Sequence, residues 1–365
     1  MKILVINTVP TDKNGITNVI FNYLKAMGND VAFDYVAINN PDAFYVNFLE
    51  EKGATLYSLK RKNVLRYIWS LCKIIKQNKY DAIHVHGNSH TVVLELLAAK
   101  LAGCKVRIIH AHSTGCNSVA LHKLLAGLFD SLCTDCLACG EEAGKFMFGN
   151  KPFKIINNGV DVEKFSFNNK AREAFRVKLA LTETDILIGH VGYFMPVKNQ
   201  SFLVDVFAEL AKRDSRYHLV LIGDGAMRTE IEQKVASLGL TNKVTFTGNI
   251  DNVSEYLNAI DIVIMPSLYE GLPLTLVEQQ ANGLQCIVSD TITKEVDKTG
   301  NLCFVSLNAS ISEWVQSIEN CNCKQGRGQR SKKAVNDIAK EGYSIQTEAK
   351  QLVGFYKSVC KNSNF

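Results

Sequence analysis

Glu270 and Glu278 stand eight positions apart, with Gly-Leu-Pro directly after the first of them. The stretch follows a strand-like apolar run at 261–267 and precedes helix-like sequence. We therefore expect the first acid on a loop and the second inside a helix. Between them lies a predicted helix N-terminus, where free backbone N–H groups attract anions. Two carboxylates beside an anion site suit a ligand that carries hydroxyls and phosphate together, as a nucleotide sugar does.

Three further positions at predicted strand ends could meet phosphate, because ligands of open α/β sheets bind beyond the carboxyl ends of the strands. Gly15 follows the first strand and lacks a Cβ, so backbone could approach a phosphate there; an ordinary turn glycine is the alternative. Lys198 precedes a helix and offers a point charge for a diphosphate, unless it is a solvated loop lysine. Gly223 ends another strand, where a tight turn is the simplest interpretation.

Four histidines raise the question of a metal site. His84 and His86 share one face of a predicted strand end, and His110 and His112 share one face of another. Four imidazoles could ligate zinc. They could equally form hydrogen bonds in the core or in a cleft, and no carboxylate or cysteine spacing completes a recognised motif. We therefore expect no metal.

The cysteines and the apolar runs indicate the compartment. Eleven cysteines, an odd count, fit reduced thiols better than a disulfide framework in a chain of 365 residues. Cys133, Cys136 and Cys139 have the C-x2-C-x2-C spacing of iron–sulfur proteins, but without an obvious fourth ligand we interpret them as small buried hydrophobic residues. No apolar run approaches the roughly 18 residues that span a bilayer. The opening MKILVIN is typical of a buried strand and not of a signal peptide, so we expect a cytoplasmic protein.

The net charge of +5 is concentrated in the first half of the chain. Residues 1–165 hold 19 Lys and Arg against 14 Asp and Glu, and the second half is balanced. Within 52–79, eight basic residues meet no acid and are interspersed with aromatic and aliphatic residues. This mix predicts either peripheral contact with an anionic membrane or a solvated helix face over a buried apolar side. No recognised motif accompanies the patch, so we expect no nucleic acid as a partner.

Strand-like and helical stretches alternate in both halves of the chain, which predicts an α/β protein with two Rossmann-like doubly wound domains facing each other across a cleft. The predicted domains are 1–162 and 163–342, followed by a C-terminal helix in 343–365. The polar and basic stretch 320–333 is expected to be a surface loop. The predicted strands are 2–8, 31–38, 81–87, 106–112, 135–139 and 153–157 in the first half, and 186–194, 218–225, 244–248, 261–267 and 286–290 in the second.

Motifs in a fixed order cover nearly the whole chain. They are NGIT, DAIHVHG, VRIIHAHS, KIINNGVDVEKF, GHVGYFMPVKNQ, LVLIGDGAMRTEIE, VTFTGNIDNV, PSLYEGLPLTLVEQQANGLQCIVSD, SDTITKEV and EGYSIQTEAKQLVGFY. Each motif alone is weak, but their order is specific. The set resembles retaining glycosyltransferases of the GT-B fold, family 4 type, and more narrowly those of bacterial exopolysaccharide and capsule synthesis. The resemblance implies an acceptor-side first domain, a donor-binding second domain and a last helix that crosses back to the first.

The resemblance also implies roles for individual residues. Glu278 would hold the ribose hydroxyls of the nucleotide, and Glu270 would sit by the donor sugar. Lys198 would neutralise the diphosphate leaving group, and His112 would lie at the sugar near the reacting carbon. The other donor- and nucleotide-binding positions that the resemblance implies are Gly15, Gly223, Gly248, Asn249, Gly271, Leu272, Pro273 and Leu274.

One departure from the family pattern concerns phosphate binding. The family usually has arginine after the glycine of a Gly-Arg-Phe segment, where this chain has Tyr193. Tyrosine cannot reproduce the bidentate grip of arginine on phosphate.

As a whole, the resemblance implies metal-independent transfer of a sugar, with retention of configuration, from a nucleotide sugar expected to be UDP-linked to a glycan or polyprenyl-linked acceptor. The alternative that Tyr193 raises is a non-catalytic nucleotide-sugar-binding subunit of a glycosyltransferase complex. A nucleotide-sugar epimerase of related two-domain fold is a weaker option, because the 270–278 stretch argues against it.

Overall fold

The computed structural model describes residues 1–12, 14–321 and 326–362, and the chain divides into two compact units. The N-terminal unit comprises Met1–Gly159 and Ile345–Phe365, and the C-terminal unit comprises Val160–Ser344. The boundaries expected from the sequence, at 162 and 342, lie near these divisions. The last helix of the chain therefore belongs to the N-terminal unit.

The N-terminal unit contains one parallel sheet with helices packed against it. Its strands are β1 (Lys2–Asn7), β2 (Ala32–Ala37), β3 (Leu56–Ser58), β4 (Ala82–His86), β5 (Val106–Ala111), β6 (Asp135–Ala138) and β7 (Lys154–Ile155). They lie in the order β3-β2-β1-β4-β5-β6-β7. Its helices are α1 (Gly15–Ala26), α2 (Ala43–Glu51), α3 (Val64–Asn78), α4 (Val93–Leu101), α5 (Val119–Leu124), α6 (Ala126–Leu132), α7 (Glu141–Phe148) and α16 (Ile345–Asn362).

The C-terminal unit repeats this architecture. Its strands are β8 (Ile186–Val191), β9 (Tyr217–Ile222), β10 (Val244–Gly248), β11 (Ile262–Met265), β12 (Gln285–Ser289) and β13 (Leu302–Val305). They are parallel and lie in the order β10-β9-β8-β11-β12-β13. Its helices are α8 (Val162–Phe165), α9 (Asn169–Lys178), α10 (Gln200–Arg213), α11 (Arg228–Ser237), α12 (Val253–Ala259), α13 (Leu274–Ala281), α14 (Ile311–Glu319) and α15 (Arg327–Lys340).

The central strands and the strand order show how the two sheets are buried and where they can bind a ligand. The central strands are continuous apolar runs, such as Ile3–Ile6 in β1 and Ile262–Met265 in β11, and they are buried because helices cover both faces of a parallel sheet. The order of the strands reverses between β1 and β4 in one sheet and between β8 and β11 in the other. These reversals are the topological switch points at which open α/β sheets bind ligands. The predicted pair of doubly wound α/β domains is confirmed.

Helix α16 completes the core of the N-terminal unit although it comes last in the chain. It packs against α1, and its buried side chains include Leu352 and Tyr356. The hydroxyl of Tyr356 lies 2.5 Å from Nδ1 of His84, and the Glu348 carboxylate accepts a 3.0 Å hydrogen bond from the Asn157 backbone. Within the described ranges, no helix is both long and apolar enough to cross a membrane.

The prediction of a surface loop at 320–333 is wrong for its second part. Residues 322–325 lie outside the described ranges, and Arg327 opens α15 with its side chain buried. Its guanidinium donates to backbone oxygens at the end of α12, among them Ile260 O at 2.5 Å, and stacks on Phe167. A basic residue is buried here because carbonyl groups left unpaired at a helix C-terminus need donors.

Candidate functional site

Two loops at the switch point of the C-terminal unit bring Lys198 and Glu270 together. One follows β8 and the other follows β11, and the Leu268 N–H donates a 2.8 Å hydrogen bond across them to the Val197 carbonyl. Asn199 adds a 3.2 Å bond from its side-chain amide to the Pro266 carbonyl. Lys198 Nζ lies 2.6 Å from Glu270 Oε1, and both side chains are partly buried. The sequence placed each residue at a strand end but did not predict this ion pair.

Helix α13 begins four residues after Glu270, as predicted. The helix begins at Leu274 and has Pro273 at its N-cap, without a side chain that caps it. The first N–H groups of an α-helix lack the usual partner four residues earlier and attract anions, and at this helix the Leu276 N–H donates to the Pro273 carbonyl at 3.0 Å. Gly271 is exposed, and a Cβ at this position would have no heavy atom within 4 Å, whereas the partly buried Leu272 packs against the core.

Glu278 lies one turn into α13 and is partly buried. Burial raises the pKa of its carboxyl to about 7, and the nearby Lys164 opposes the shift. A carboxyl group in this condition gains from partners that donate hydrogen bonds to its ionised form. The predicted arrangement, with Glu270 on a loop and Glu278 in the helix, is confirmed.

A second glycine-rich segment lies beside the loop after β8. Gly223 donates its N–H to the Gly248 carbonyl at 3.0 Å, which joins the ends of β9 and β10. At Gly223 φ is +134°, and a Cβ would lie 2.1 Å from the Gly192 carbonyl oxygen. Only glycine fits such a close backbone approach. Asn249, directly after β10, is exposed.

Tyr193 occupies the position where the resemblance led us to expect arginine. Its side chain is 55% exposed, and its carbonyl accepts a 3.1 Å hydrogen bond from the Gln200 amide. The nearby Arg228 is engaged elsewhere, because it donates to Asp224 at 3.2 Å and to Glu232 at 2.7 Å. The position at which the resemblance implies a guanidinium group therefore carries an exposed phenol ring in this chain.

Gly15 and His112 belong to the N-terminal unit. Gly15 is the exposed first residue of α1, and the Asn14 side chain caps this helix by accepting from the Thr17 N–H at 3.0 Å. His112 follows β5, and its backbone N–H donates to the Asn88 side chain at 2.9 Å. His112 directly follows the carboxyl end of β5, and Gly15 begins the helix that follows β1.

His84 and His86 of β4, His110 of β5 and His112 directly after β5 form one group. His86 Nδ1 lies 2.8 Å from His112 Nε2, and the rings of His84 and His110 are 5.4 Å apart and nearly parallel. Burial lowers the pKa of His84 to about 3 and that of His112 to about 4, and the imidazole of His112 adds to the shift for His84. The group is therefore neutral at pH 7.

Three of these histidines have the composition of a metal site. Ring nitrogens of His84, His86 and His110 lie within 4.8 Å of one another, and within the described ranges they are the group of three or more such residues that could hold an ion. Two of the three already have a partner within the protein, Tyr356 for His84 and His112 for His86.

Cys133, Cys136 and Cys139, whose spacing is that of iron–sulfur proteins, pack as core side chains. They are partly buried and pack against the apolar core of the N-terminal unit, and the Sγ atoms of Cys133 and Cys136 are 3.7 Å apart.

Two neighbours of Lys198 were not singled out from the sequence. His190, in β8, is fully buried, and Gly192 follows that strand. A histidine inside an apolar strand, two positions before a glycine, was the available signal. The role of His190 depends on its hydrogen bond to Ile264 of β11, which the sequence alone does not show.

Family models and relatives match this chain along most of its length. The model described as glycosyl transferases group 1 matches residues 171–333, and the model described as glycosyl transferase 4-like matches residues 6–128. EpsF of Bacillus subtilis (strain 168), a protein assigned to the glycosyltransferases, is 33% identical over 367 residues, which is 94% of each chain.

Two other relatives have more specific names. The UDP-Gal:alpha-D-GlcNAc-diphosphoundecaprenol alpha-1,3-galactosyltransferase of Escherichia coli is 32% identical over 66% of this chain and 64% of its own. The capsular polysaccharide biosynthesis glycosyltransferase CapH of Staphylococcus aureus is 25% identical over 74% of this chain and 76% of its own.

Solved structures share the fold. HepE of Anabaena in complex with UDP superimposes with a TM-score of 0.80 at 18% identity, covering 98% of this chain and 100% of HepE. HepE was also solved with UDP-glucose, and that structure gives a TM-score of 0.77.

Proposed function

This chain belongs to the glycosyltransferase family of group 1 and family 4-like enzymes with the GT-B fold, and we propose that it transfers a hexose or related sugar from UDP to a glycan or lipid-linked acceptor with retention of configuration. The reaction would serve exopolysaccharide or capsule synthesis on the cytoplasmic side of the membrane. The observation that carries the proposal is the ion pair of Lys198 and Glu270 beside the open N-terminus of α13.

The charges at this site fit the leaving group. Breaking a glycosyl–phosphate bond develops negative charge on the diphosphate, and a helix N-terminus together with an ammonium group stabilises that charge without reorganisation. Lys198 would contact the diphosphate, and the backbone from Gly271 to Leu274 would line the sugar and phosphate. Gly15 would offer backbone N–H groups to a phosphate. No step of this scheme requires a metal, so we propose metal-independent transfer.

The two glutamates fit different parts of the donor. Glu278 would accept hydrogen bonds from the ribose hydroxyls, which favours its ionised form. Glu270 would stay beside the sugar, held by Lys198. An acid and a nucleophile of the glycosidase type require separately tuned carboxyl groups, whereas Glu270 forms an ion pair with a lysine 2.6 Å away. Retention would then follow from attack on the face that the diphosphate leaves, with a phosphate oxygen taking the proton of the acceptor.

The remaining predicted positions have supporting roles in this proposal. Gly223, Gly248 and Asn249 would border the nucleotide, because the Gly223–Gly248 hydrogen bond holds both strand ends near the loop after β8. His112 would contact the sugar near the reacting carbon. Its neutral imidazole can donate or accept a hydrogen bond to a hydroxyl without adding charge.

Helix α3 supports peripheral contact with an anionic membrane. Its buried face carries Tyr67, Leu71 and Ile75. On the opposite face Leu65 is 80% exposed and Trp69 is 66% exposed. Exposed apolar side chains among basic residues partition into the headgroup region of anionic bilayers. The acceptor named for the Escherichia coli relative, a diphosphoundecaprenol, is a lipid, and such a surface would bring this enzyme to a lipid-linked acceptor.

Flotation with phosphatidylglycerol vesicles tests the membrane contact. We expect the wild-type protein to float, and the double variant Leu65→Ser, Trp69→Ser to stay at the bottom of the gradient. Leu101→Ser is the matched control, because Leu101 is 65% exposed but lies on α4 outside the basic segment. Equal flotation of the double variant and the wild type would exclude α3 as the contact.

Purified protein with candidate donors tests the enzymatic proposal. Thermal-shift measurements with UDP, GDP and ADP should show the largest stabilisation with UDP, since a ligand that binds the folded state raises its stability. Incubation with UDP-glucose and UDP-galactose should then release UDP. Lys198→Ala is expected to lower turnover more than donor affinity, and Glu278→Ala to weaken nucleotide binding. Normal transfer by both variants would refute the assignment of these residues.

Metal independence has its own test. Turnover after dialysis against EDTA should equal turnover before it, and addition of Zn²⁺ or Mg²⁺ should not raise it. Loss of turnover that Zn²⁺ restores would instead assign an ion to the histidines of β4 and β5, whose donor set suits zinc.

Tyr193 favours a second candidate, a non-catalytic nucleotide-sugar-binding subunit of a glycosyltransferase complex. Such a subunit would bind a UDP-sugar without turning it over, because Tyr193 cannot make the phosphate contact that arginine would make in the transition state. Release of UDP by the isolated chain excludes the subunit. Binding of a UDP-sugar without release under any acceptor condition would favour it.

A further inference from the structure

His190 stands where the central strands of the C-terminal sheet separate. Strands β8 and β11 pair in register only at Ile188 and Gly189, and His190 comes directly after these pairs. Its side chain fills the gap in the ladder, because Nδ1 lies 2.9 Å from the Ile264 carbonyl oxygen. The imidazole is completely buried. A polar side chain thus occupies the ligand-binding switch point of the sheet.

The hydrogen bond to Ile264 fixes the tautomer of this imidazole. A carbonyl oxygen only accepts, so Nδ1 carries the proton and Nε2 keeps a lone pair. Burial lowers the pKa of His190 to about 4, and the charge of Lys198 opposes protonation further, so the ring is neutral at pH 7. Among the described residues, Nε2 has no hydrogen-bond partner although it is buried. A buried acceptor without a donor is costly, which indicates that a donor arrives in another state of the site.

Lys198 is the nearby side chain that can supply this donor. A Cβ at Gly192 would lie 3.2 Å from His190 Nε2 and 3.5 Å from both Cδ and Cε of Lys198. The imidazole and the lysine stem therefore flank the same gap, which stays open because Gly192 has no side chain. The ammonium group has three N–H donors, and the hydrogen bond to Glu270 uses one of them.

We propose that His190 is a positioning residue that orients Lys198 for the diphosphate. With a nucleotide sugar bound, the ammonium group would direct one N–H to Glu270, one to His190 Nε2 and one to a phosphate oxygen. Three acceptors in three directions fix the group, so less rotational freedom is lost when the leaving group develops charge. The inference rests on the proposed function and adds to it the device that holds Lys198.

Substitution of His190 by Asn or by Gln distinguishes the roles of the two ring nitrogens. In His190→Asn the amide reaches the position of Nδ1, so the bond to Ile264 is kept and the acceptor toward Lys198 is lost. In His190→Gln the amide reaches the position of Nε2, so the acceptor is kept and the strand bond is lost. If His190 orients Lys198, the Asn variant loses function and the Gln variant retains it. A purely structural histidine predicts the reverse order.

The measurements are kcat and donor KM with a UDP-sugar, and Kd for UDP by calorimetry. We expect His190→Asn to lower kcat about 10- to 100-fold with KM within about twofold, as for an interaction made mainly in the transition state, while His190→Gln stays within about threefold of wild type. Thermal unfolding of both variants reports on folding. A more active Asn variant than Gln variant would overturn the inference.

A double-mutant cycle with Lys198→Ala tests whether His190 acts through the lysine. Because UDP carries the charge that develops on the leaving group, we expect His190→Asn to weaken UDP binding about 3- to 10-fold in the wild-type background and to have no further effect once Lys198 is removed. Additive effects in the cycle would overturn the inference. Coupling in UDP binding without any sugar transfer by the wild-type protein would refute the proposed function while supporting the role of His190.

Discussion

Glu278 should make nucleotide binding depend on pH. In the free protein its carboxyl has a pKa of about 7 because it is buried, against an ordinary value of 4.5. Hydrogen bonds from ribose hydroxyls would favour the ionised carboxylate and lower this pKa in the complex. Below pH 7 the free protein therefore carries a proton that must leave when the nucleotide binds. Affinity should fall as the pH falls through 7.

The size of the effect follows from the two pKa values. With 7 in the free protein and a return to the ordinary 4.5 in the complex, Kd for UDP should rise about 25-fold between pH 7.5 and pH 5.5. Most of this rise should occur between pH 7 and pH 5.5, because the free carboxyl is already largely ionised at pH 7.5. A smaller ratio would measure how far the pKa remains raised in the complex.

Calorimetric titration with UDP at four pH values provides the assay, and Glu278→Gln is the control. The second phosphate ionisation of UDP, near pH 6, affects both proteins alike, so the ratio of their Kd values isolates the carboxyl. We expect the wild-type protein to lose its advantage over the Gln variant as the pH falls from 7.5 to 5.5. The same pH dependence in both proteins would refute contact between Glu278 and the nucleotide.

The other predictions concern stability and phosphate contact. Glu278→Gln should raise Tm at pH 8 but not at pH 4, because a carboxyl whose folded pKa is raised destabilises the protein only where it would ionise. Gly283→Ala should destabilise by about 2 kcal/mol or more in urea, since a Cβ there, at φ +72°, would lie 2.7 Å from backbone atoms of α15. Asp261→Ala should cost about 3 to 5 kcal/mol in the same assay, because it leaves the guanidinium groups of Arg172 and Arg176 without their buried carboxylate. Tyr193→Arg should tighten UDP binding about 5- to 10-fold by restoring a charged phosphate contact, and an unchanged Kd would place the phosphates elsewhere.

Elements with strong local signals were predictable from the sequence. Helix α3 lies within the basic segment 52–79, for which the sequence offered a helix face, and its ends are locally defined because Asn63 caps its first turn and Lys79 ends it in a left-handed conformation. The central strands were predictable because each is a short apolar run. Strand β3 was missed because its three residues, at the edge of the sheet, are too few for a periodic pattern. Its pairing with β2 depends on the sheet and not on its own sequence.

In the candidate site, too, local features were predictable and contacts between distant residues were not. The order of Glu270, a helix start and Glu278 is local, so the sequence predicted it. The ion pair with Lys198 joins residues 72 positions apart and depends on hydrogen bonds between two loops. His190 escaped notice because a histidine in a buried strand is ambiguous until its two ring nitrogens have known surroundings. Arg327 was misjudged because a basic stretch resembles a solvated surface until the carbonyl groups that bind it are known.

The place of α16 determines the order in which the units can be completed during synthesis. The C-terminal unit is continuous in sequence, so every residue of its core has been made once Ser344 is added. The N-terminal unit begins earlier but must wait for Leu352 and Tyr356, which fill its core beside α1 and His84. Domains generally fold as units during synthesis, beginning with the first one made. Here the first half of the chain is finished last, so a premature stop after Ser344 would leave the C-terminal unit able to fold and the N-terminal unit with an open core.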